Sequence, residues 1–308
     1  MKYSLGVDIG GTKIAAVILD QNGIILHRTE MPSEPDDKEE MFNQVICTIQ
    51  RLFSKSHFTV SMLDGIGVGV PGKVDRKNGV AVFQNNLQWK NFPIADRLQD
   101  YFGFDHVVID NDVYMAAFAE WMAANMNQED TFVYVTVSTG ISCSIIQNGS
   151  FLRGAGFAGE LGLLPVGNSG MENIQRLENA ASGPAIQKTA VKRFGRADMT
   201  AQEFFQEYEN GNVKTKTVLN DAVRYLAGGV YSIVSLLDPH KIVFGGGVMN
   251  HHPYLLELLK AEIGDFLIDA QKDSLARMQM SQLKGDSGVV GAGLKAISEH
   301  ALRMGIDS

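Results

Sequence analysis

The stretch Val107–Trp121, VVIDNDVYMAAFAEW, decides how the chain is read. Val107, Val108 and Ile109 form a short apolar run of the kind a buried strand uses. Asp110, Asn111 and Asp112 interrupt it, and Ala116 to Ala119 with Trp121 and Met122 then read as a mostly buried helix. A helix opening at Asn111 or Asp112 puts short polar side chains where N-caps belong. It also sets two carboxylates on either side of an amide at the carboxyl end of a strand, where open α/β sheets place their sites. Capping alone would account for all three residues, so the rest of the chain has to arbitrate.

A chain of 308 residues has room for two domains, each with its own core. Hydrophobic residues make up 45% and charged residues 20%, which suits a soluble globular protein. The net charge of −8, with no Lys/Arg cluster, argues against nucleic acid as a partner. Cys47 and Cys143 are the only cysteines, which excludes a disulfide framework and a CxxC motif. Met1 leads directly into the apolar run Tyr3–Ile9 without a signal-peptide pattern, and no 18-residue apolar stretch occurs. The expectation is a cytoplasmic protein with no membrane partner.

Outward from the opening stretch, the N-terminus reads as a strand, Leu5 to Ile9, ending in Gly10-Gly11-Thr12-Lys13. A second apolar run, Ile14 to Leu19, follows, then Gln21-Asn22-Gly23, then Ile24 to Leu26. Asn-Gly between apolar runs signals a hairpin with a type I′ turn, which needs φ > 0 at both central residues. A hairpin after the glycine turn excludes the Rossmann and Walker readings, since both need a helix there. Beyond the opening stretch the order returns: Phe132 to Val137, Ser138-Thr139-Gly140, Ile145-Ile146, Gln147-Asn148-Gly149, Phe151-Leu152. The repeat implies a duplicated α/β domain with a cleft between the copies.

Elsewhere Lys38 to Phe53 has helical spacing, with Met41, Val45, Ile49 and Phe53 on one face and Cys47 read as inert packing. Ile66, Val68 and Val70 form a strand ended by Pro71-Gly72, and Val80 to Phe83 leads into the loop Gln84–Trp89. Ile94–Tyr101, Glu172–Ala181, Ala185–Phe194, Val213–Leu237, Tyr254–Leu267 and Ser287–Ala301 read as helices. Gly288, Gly291 and Gly293 would let the last of them pack closely. Ile242 to Phe244 form a strand running into Gly245-Gly246-Gly247. Three glycine turns thus follow three strands. Glycine lets backbone N–H groups converge on an anion, a threonine hydroxyl adds a donor, and Asp8 is a hard-oxygen ligand suited to Mg²⁺. Together these features favour nucleotide binding.

The motifs DIGGTK (Asp8–Lys13), GVPG (Gly69–Gly72), NLQW (Asn86–Trp89), DNDVYMAA (Asp110–Ala117), STGI (Ser138–Ile141), GELG (Gly159–Gly162), LENAASG (Leu177–Gly183) and VFGGGV (Val243–Val248) resemble, in order, those of the ROK family of bacterial sugar kinases and sugar-responsive repressors. The resemblance covers almost the whole chain. It implies an actin-like ATPase fold, a duplicated ribonuclease-H-like α/β plan with an interdomain cleft. The domains would be 1–118, completed by 287–308, and 119–286. It implies Asp112 as catalytic base, with Gly72, Asn86, Asn111, Glu160 and Glu178 around the sugar. Gly10, Gly11, Thr12, Lys13, Thr139, Gly140 and Gly245–Gly247 would face the nucleotide, and Asp8 the Mg²⁺, directly or through water. The implied activity is ATP-dependent transfer to the primary 6-hydroxyl of a hexose, glucose by default, in carbohydrate metabolism, by a homodimer. An N-acetylated amino sugar, fructose or a β-glucoside is the alternative acceptor, and a sugar-binding regulator the alternative class. Repressors of the family carry an N-terminal helix-turn-helix extension, whereas Met1 here leads almost at once into the first strand.

The chain also departs from the family. Most of its kinases hold zinc through a histidine after the Gly-Glu-x-Gly element and a cysteine cluster beyond it. Here Leu163 stands at the histidine position and Gly167–Leu177 contains no cysteine, so no zinc is expected. Leu163, Leu164, Met171, Ile174 and Leu177 would hold that loop by packing instead. The glycine-rich run after the second Thr-Gly is here Ser142-Cys143-Ser144, with Cys143 read as a small packed residue.

Overall fold

The computed structural model describes residues 1–84, 86–167 and 174–303. The chain divides into two compact units, 1–125 with 286–308, and 126–285. The division expected after residue 118 falls inside a helix, and the first unit continues to the end of that helix and two residues beyond it.

The first unit opens with β1 (Tyr3–Ile9), β2 (Lys13–Asp20), β3 (Ile25–Pro32) and α1 (Lys38–Ser54). Next come β4 (Gly65–Val70), the small strands β5 (Lys73–Asp75), β6 (Val80–Phe83) and β7 (Lys90–Phe92), α2 (Ile94–Phe102), β8 (Val107–Asn111) and α3 (Asp112–Ala123). The main sheet has the order β3-β2-β1-β4-β8. β1, β4 and β8 run parallel, while β2 pairs antiparallel with both β1 and β3. The carboxyl ends of the three parallel strands therefore lie on one edge, carrying Asp8, Gly72 and Asn111-Asp112. α1 buries Met41, Val45 and Ile49, and Asp37 caps it by accepting from the Glu39 and Glu40 amides. Cys47 lies on the exposed side of α1, one position past the buried Ile46, so the packing expected for it is corrected.

In the second unit β9 (Phe132–Val137), β10 (Ile141–Gln147) and β11 (Ser150–Phe151) precede β12 (Pro165–Val166), β13 (Gln175–Arg176), α4 (Leu177–Ala181), α5 (Gly183–Phe194), α6 (Ala201–Glu209) and α7 (Val213–Leu237). β14 (Lys241–Gly245), α8 (Gly247–His251), α9 (Leu255–Gly264) and β15 (Met278–Met280) complete it. Its sheet runs β11-β10-β9-β14-β15, with β9, β14 and β15 parallel. Both units therefore use one strand plan, as the repeat implies. α10 (Ser287–Arg303) then packs in the first unit, against β1 and α3.

Two expectations change. Gln21-Asn22-Gly23 and Gln147-Asn148-Gly149 share letters but not geometry. Asn148 and Gly149 both have positive φ, the type I′ pattern, and join β10 to β11 directly. In the first hairpin only Gly23 does, because the Asp20 carboxylate accepts the amides of Asn22 and Ile24 and holds a wider turn. The helix expected over Glu172–Ala181 starts only at Leu177, because Gln175 and Arg176 pair with β12 and that ladder overrides the local helical pattern. Residues 168–173, on which the zinc expectation and Met171 partly fall, lie outside the described residues.

Candidate active site

In the first unit β8 ends where the helix must begin. Asn111 is the N-cap of α3, its Oδ1 accepting the Val113 amide at 2.9 Å. Such a cap stabilises by about 1 kcal/mol. Asp112 Oδ1 shares the same N–H at 3.0 Å. Asn111 Nδ2 donates to the Gly72 carbonyl at 3.0 Å. Both ends of this amide are thus fixed, with one Nδ2 hydrogen left over for a ligand. Gly72 has φ of +78°, and a Cβ there would come within 2.3 Å of the Phe83 carbonyl, so only glycine fits this turn.

Asp8 ends β1 beside the same edge. A Cβ built at Gly69 would lie 3.4 Å from Asp8 Oδ1 and 3.6 Å from the Asp112 Cα, so one glycine gives room to both acids. Burial, and then the Asp112 charge, push Asp8 up to about 7 against the pull of Lys13. Lys13 itself is exposed and pairs with Glu30 at 3.1 Å. The Gly10 amide is used by the Lys13 carbonyl at 2.9 Å, closing the Gly10-Gly11-Thr12 turn. Asn86 reaches that turn, its Cβ 3.1 Å from where a Cβ on Gly11 would stand. It is presented there because its neighbours are anchored. Leu87 and Trp89 are core residues, and the Trp89 indole donates to the Lys38 carbonyl at 3.0 Å.

The second unit gathers the remaining expected residues. Glu178, in the first turn of α4, lies with Oε2 3.7 Å from a Cβ position on Gly140. Burial, then the Glu178 charge, raise the Glu160 carboxyl. Arg176 stands 3.8 Å from Glu178. The Gly245–Gly247 turn packs along 136–138, where a Cβ on Gly246 would meet Thr136 Oγ1 at 2.5 Å. Leu163 is exposed, whereas Leu164 packs on the core and Leu177 is fully buried. Of the apolar residues expected to hold the loop, Leu164 and Leu177 do so, and Leu163 and Ile174 do not. Cys143 is buried, and burial pushes its thiol up to about 12, so it is no nucleophile at neutral pH.

The sequence did not single out Arg76, whose guanidinium pairs with the buried Asp110 at 3.2 Å and with Glu299 at 3.3 Å. This ties the turn between β5 and β6 to the residue before Asn111 and to α10. A charged turn, Asp75 to Gly79, was its only local signal.

The ROK family model matches residues 4–298. The chain belongs to the ROK family. Among its relatives is a glucokinase of Halalkalibacterium halodurans, 28% identical over 314 residues, covering 95% of this chain and 94% of that one. A xylose repressor of Caldicellulosiruptor bescii is 25% identical, covering 96% of this chain and 78% of its own. The crystal structure of a ROK family glucokinase from Streptomyces griseus in complex with glucose and AMPPNP superposes with a TM-score of 0.80 at 26% identity, over 94% of this chain and 98% of that one. The ROK chain accordingly has the actin-like ATPase fold.

Proposed function

We propose that this ROK protein is a sugar kinase that uses ATP and Mg²⁺ to phosphorylate the primary 6-hydroxyl of a hexose, glucose first. The observation that carries the reading is the Asn111-Asp112 pair at the mouth of α3. One residue is fixed to orient a hydroxyl and the other is a carboxylate at a helix N-terminus, where negative charge is favoured. In the transfer the hexose oxygen bonds to the γ-phosphorus, the bond to the β–γ bridging oxygen breaks, and the hydroxyl proton passes to Asp112. The transition state is loose, so most of the work is alignment and charge neutralisation. Glu160 and Glu178 would accept from sugar hydroxyls, which suits a ligand presenting only hydroxyls. Thr139, Gly140 and the two glycine turns would face the phosphates.

Asp8 suits a magnesium ion, directly or through water, since such an ion binds through one or two carboxylates, water and substrate phosphates. Burial first, and the Asp112 charge second, hold Asp8 near 7, and a cation beside it would favour the ionised carboxylate. When bound, the ion would neutralise charge on the β- and γ-phosphates.

The similarity to a xylose repressor supports a second reading, a sugar-binding regulator without turnover. A coupled ADP-release screen over glucose, fructose, N-acetylated amino sugars and β-glucosides separates the two. Sugar-dependent ADP release, with a phosphate on the 6-oxygen by phosphorus NMR, is expected. Sugar binding without ADP release from any of them would overturn the kinase reading.

A further inference from the structure

The turn between β5 and β6 is built to hold one side chain still. Asp75 accepts the Asn78 amide at 3.2 Å and Asn78 Nδ2 at 2.7 Å, closing the turn on itself. Gly79 has φ of +67°, and a Cβ there would stand 2.4 Å from Ala95 Cβ. Its carbonyl accepts the Ala95 amide at 3.1 Å, so the turn is seated on the start of α2. From this turn Arg76 reaches two acids, with Nε 3.2 Å from Asp110 Oδ2 and Nη2 3.3 Å from Glu299 Oε1. Glu299 has a second cation, Lys295 at 3.7 Å, one turn earlier on α10.

Asp110 links this turn to the site. It is 2% exposed, and a carboxylate that deep needs both a cation and hydrogen bonds to stay where it is. Its two oxygens do different work. Oδ2 faces the Arg76 guanidinium, while Oδ1 accepts the backbone amide of Asn111 at 2.9 Å. Asn111 is also held through its side chain, Nδ2 donating to the carbonyl of Gly72, the last backbone position but one before Val74 of β5. One short strand therefore grips the end of β8 twice. Gly72 holds the Asn111 side chain, and Arg76, acting through Asp110, holds the Asn111 backbone. With Asn111 Oδ1 committed to the Val113 amide, these two holds set the direction of the Nδ2 hydrogen that is left for a ligand.

We infer that Arg76 is a positioning residue for sugar recognition: through Asp110 it fixes the backbone of Asn111 and so aims the Nδ2 hydrogen that Asn111 offers to a sugar hydroxyl. The inference rests on the sugar-binding role given to Asn111 above. A guanidinium suits the task because its fork spans Asp110 and Glu299 at once, whereas an ammonium is a point charge that serves one of them. The Asp110 arm is the one that reaches the site. The Glu299 arm steadies the guanidinium and has Lys295 to share its charge.

Titration calorimetry of the full chain with glucose, fructose and N-acetylglucosamine tests the inference without needing turnover. Arg76→Met should bind the tightest of the three about tenfold more weakly than the parent, the scale of one misaimed hydrogen bond. Its sugar KM should rise by a similar factor, with the KM for ATP within about twofold, a split that a loss of stability alone does not produce. Arg76→Lys, which can still reach Asp110, should recover most of the affinity, and Glu299→Gln should stay within about twofold of the parent. Asp110→Asn keeps an oxygen for the Asn111 amide but needs no cation, so in that background Arg76→Met should cost less than about threefold. Sugar affinity within twofold of the parent in Arg76→Met, or an equal loss in Glu299→Gln or in the Asp110→Asn background, would overturn the inference. A parent that binds none of the three sugars would overturn it together with the sugar-binding reading. A parent that binds sugar through this clamp yet releases no ADP would refute the kinase reading and leave the role of Arg76 standing.

Discussion

Gly288 leaves Asp8 its place: a Cβ at residue 288, in the first turn of α10, would stand 2.7 Å from Asp8 Oδ2. No ordinary contact is that short, so Gly288→Ala must displace the carboxylate or the helix. Alanine favours helix over glycine, so the helix itself should persist. We expect kcat/KM to fall by about 10²-fold, the scale of a misplaced reacting group, with helical circular dichroism kept. Undiminished activity in Gly288→Ala would show that the position of Asp8 does not matter.

The raised pKa of Asp8 sets a pH dependence. In the unfolded chain the group titrates near 3.8, in the folded chain near 7. Below the lower value both states are protonated and the burial cost is absent. As pH rises toward 7 the unfolded chain releases a proton that the native one retains, so this group destabilises increasingly, reaching its full effect above 7. Asp8→Asn should therefore be more resistant to urea than the parent at pH 8, by a margin that shrinks at pH 5, while losing turnover. A margin equal at both pH values would contradict the shift.

How much of this was legible follows from which forces were local. The β8–α3 junction was readable because Asn111 caps its own helix, and the duplicated sheet because glycine turns and hairpins mark strand ends. α6 was overlooked although Thr200 and Glu203 form a capping box, a local signal available in the sequence. Gln175 and Arg176 precede Leu177 with helical letters, but their partners Val166 and Pro165 lie nine and eleven residues upstream. The Arg76–Asp110 pair and the approach of Gly288 to Asp8 join distant residues, and no periodicity announces either.

Leu163 offers a test of substrate choice. It is exposed beside Glu160, its amide donating to the Glu160 carbonyl at 3.1 Å, so it does not fill the core. An apolar side chain cannot hydrogen-bond a sugar hydroxyl but can rest against an acetyl methyl or an aglycone. Leu163→His should shift the preference for glucose over 2-acetamido and 1-O-substituted sugars by about tenfold, or about 1.4 kcal/mol. An unchanged ranking would remove Leu163 from the sugar site.

The account stands most directly on Asp112. The measurement is the steady-state kinetics of Asp112→Asn, with sugar affinity read separately by calorimetry. Removing a general base that also orients the acceptor should lower kcat by about 10²–10⁴-fold and change sugar affinity far less. A variant that keeps more than half its kcat would contradict the assignment of Asp112 as the base, and with it the proposed mechanism.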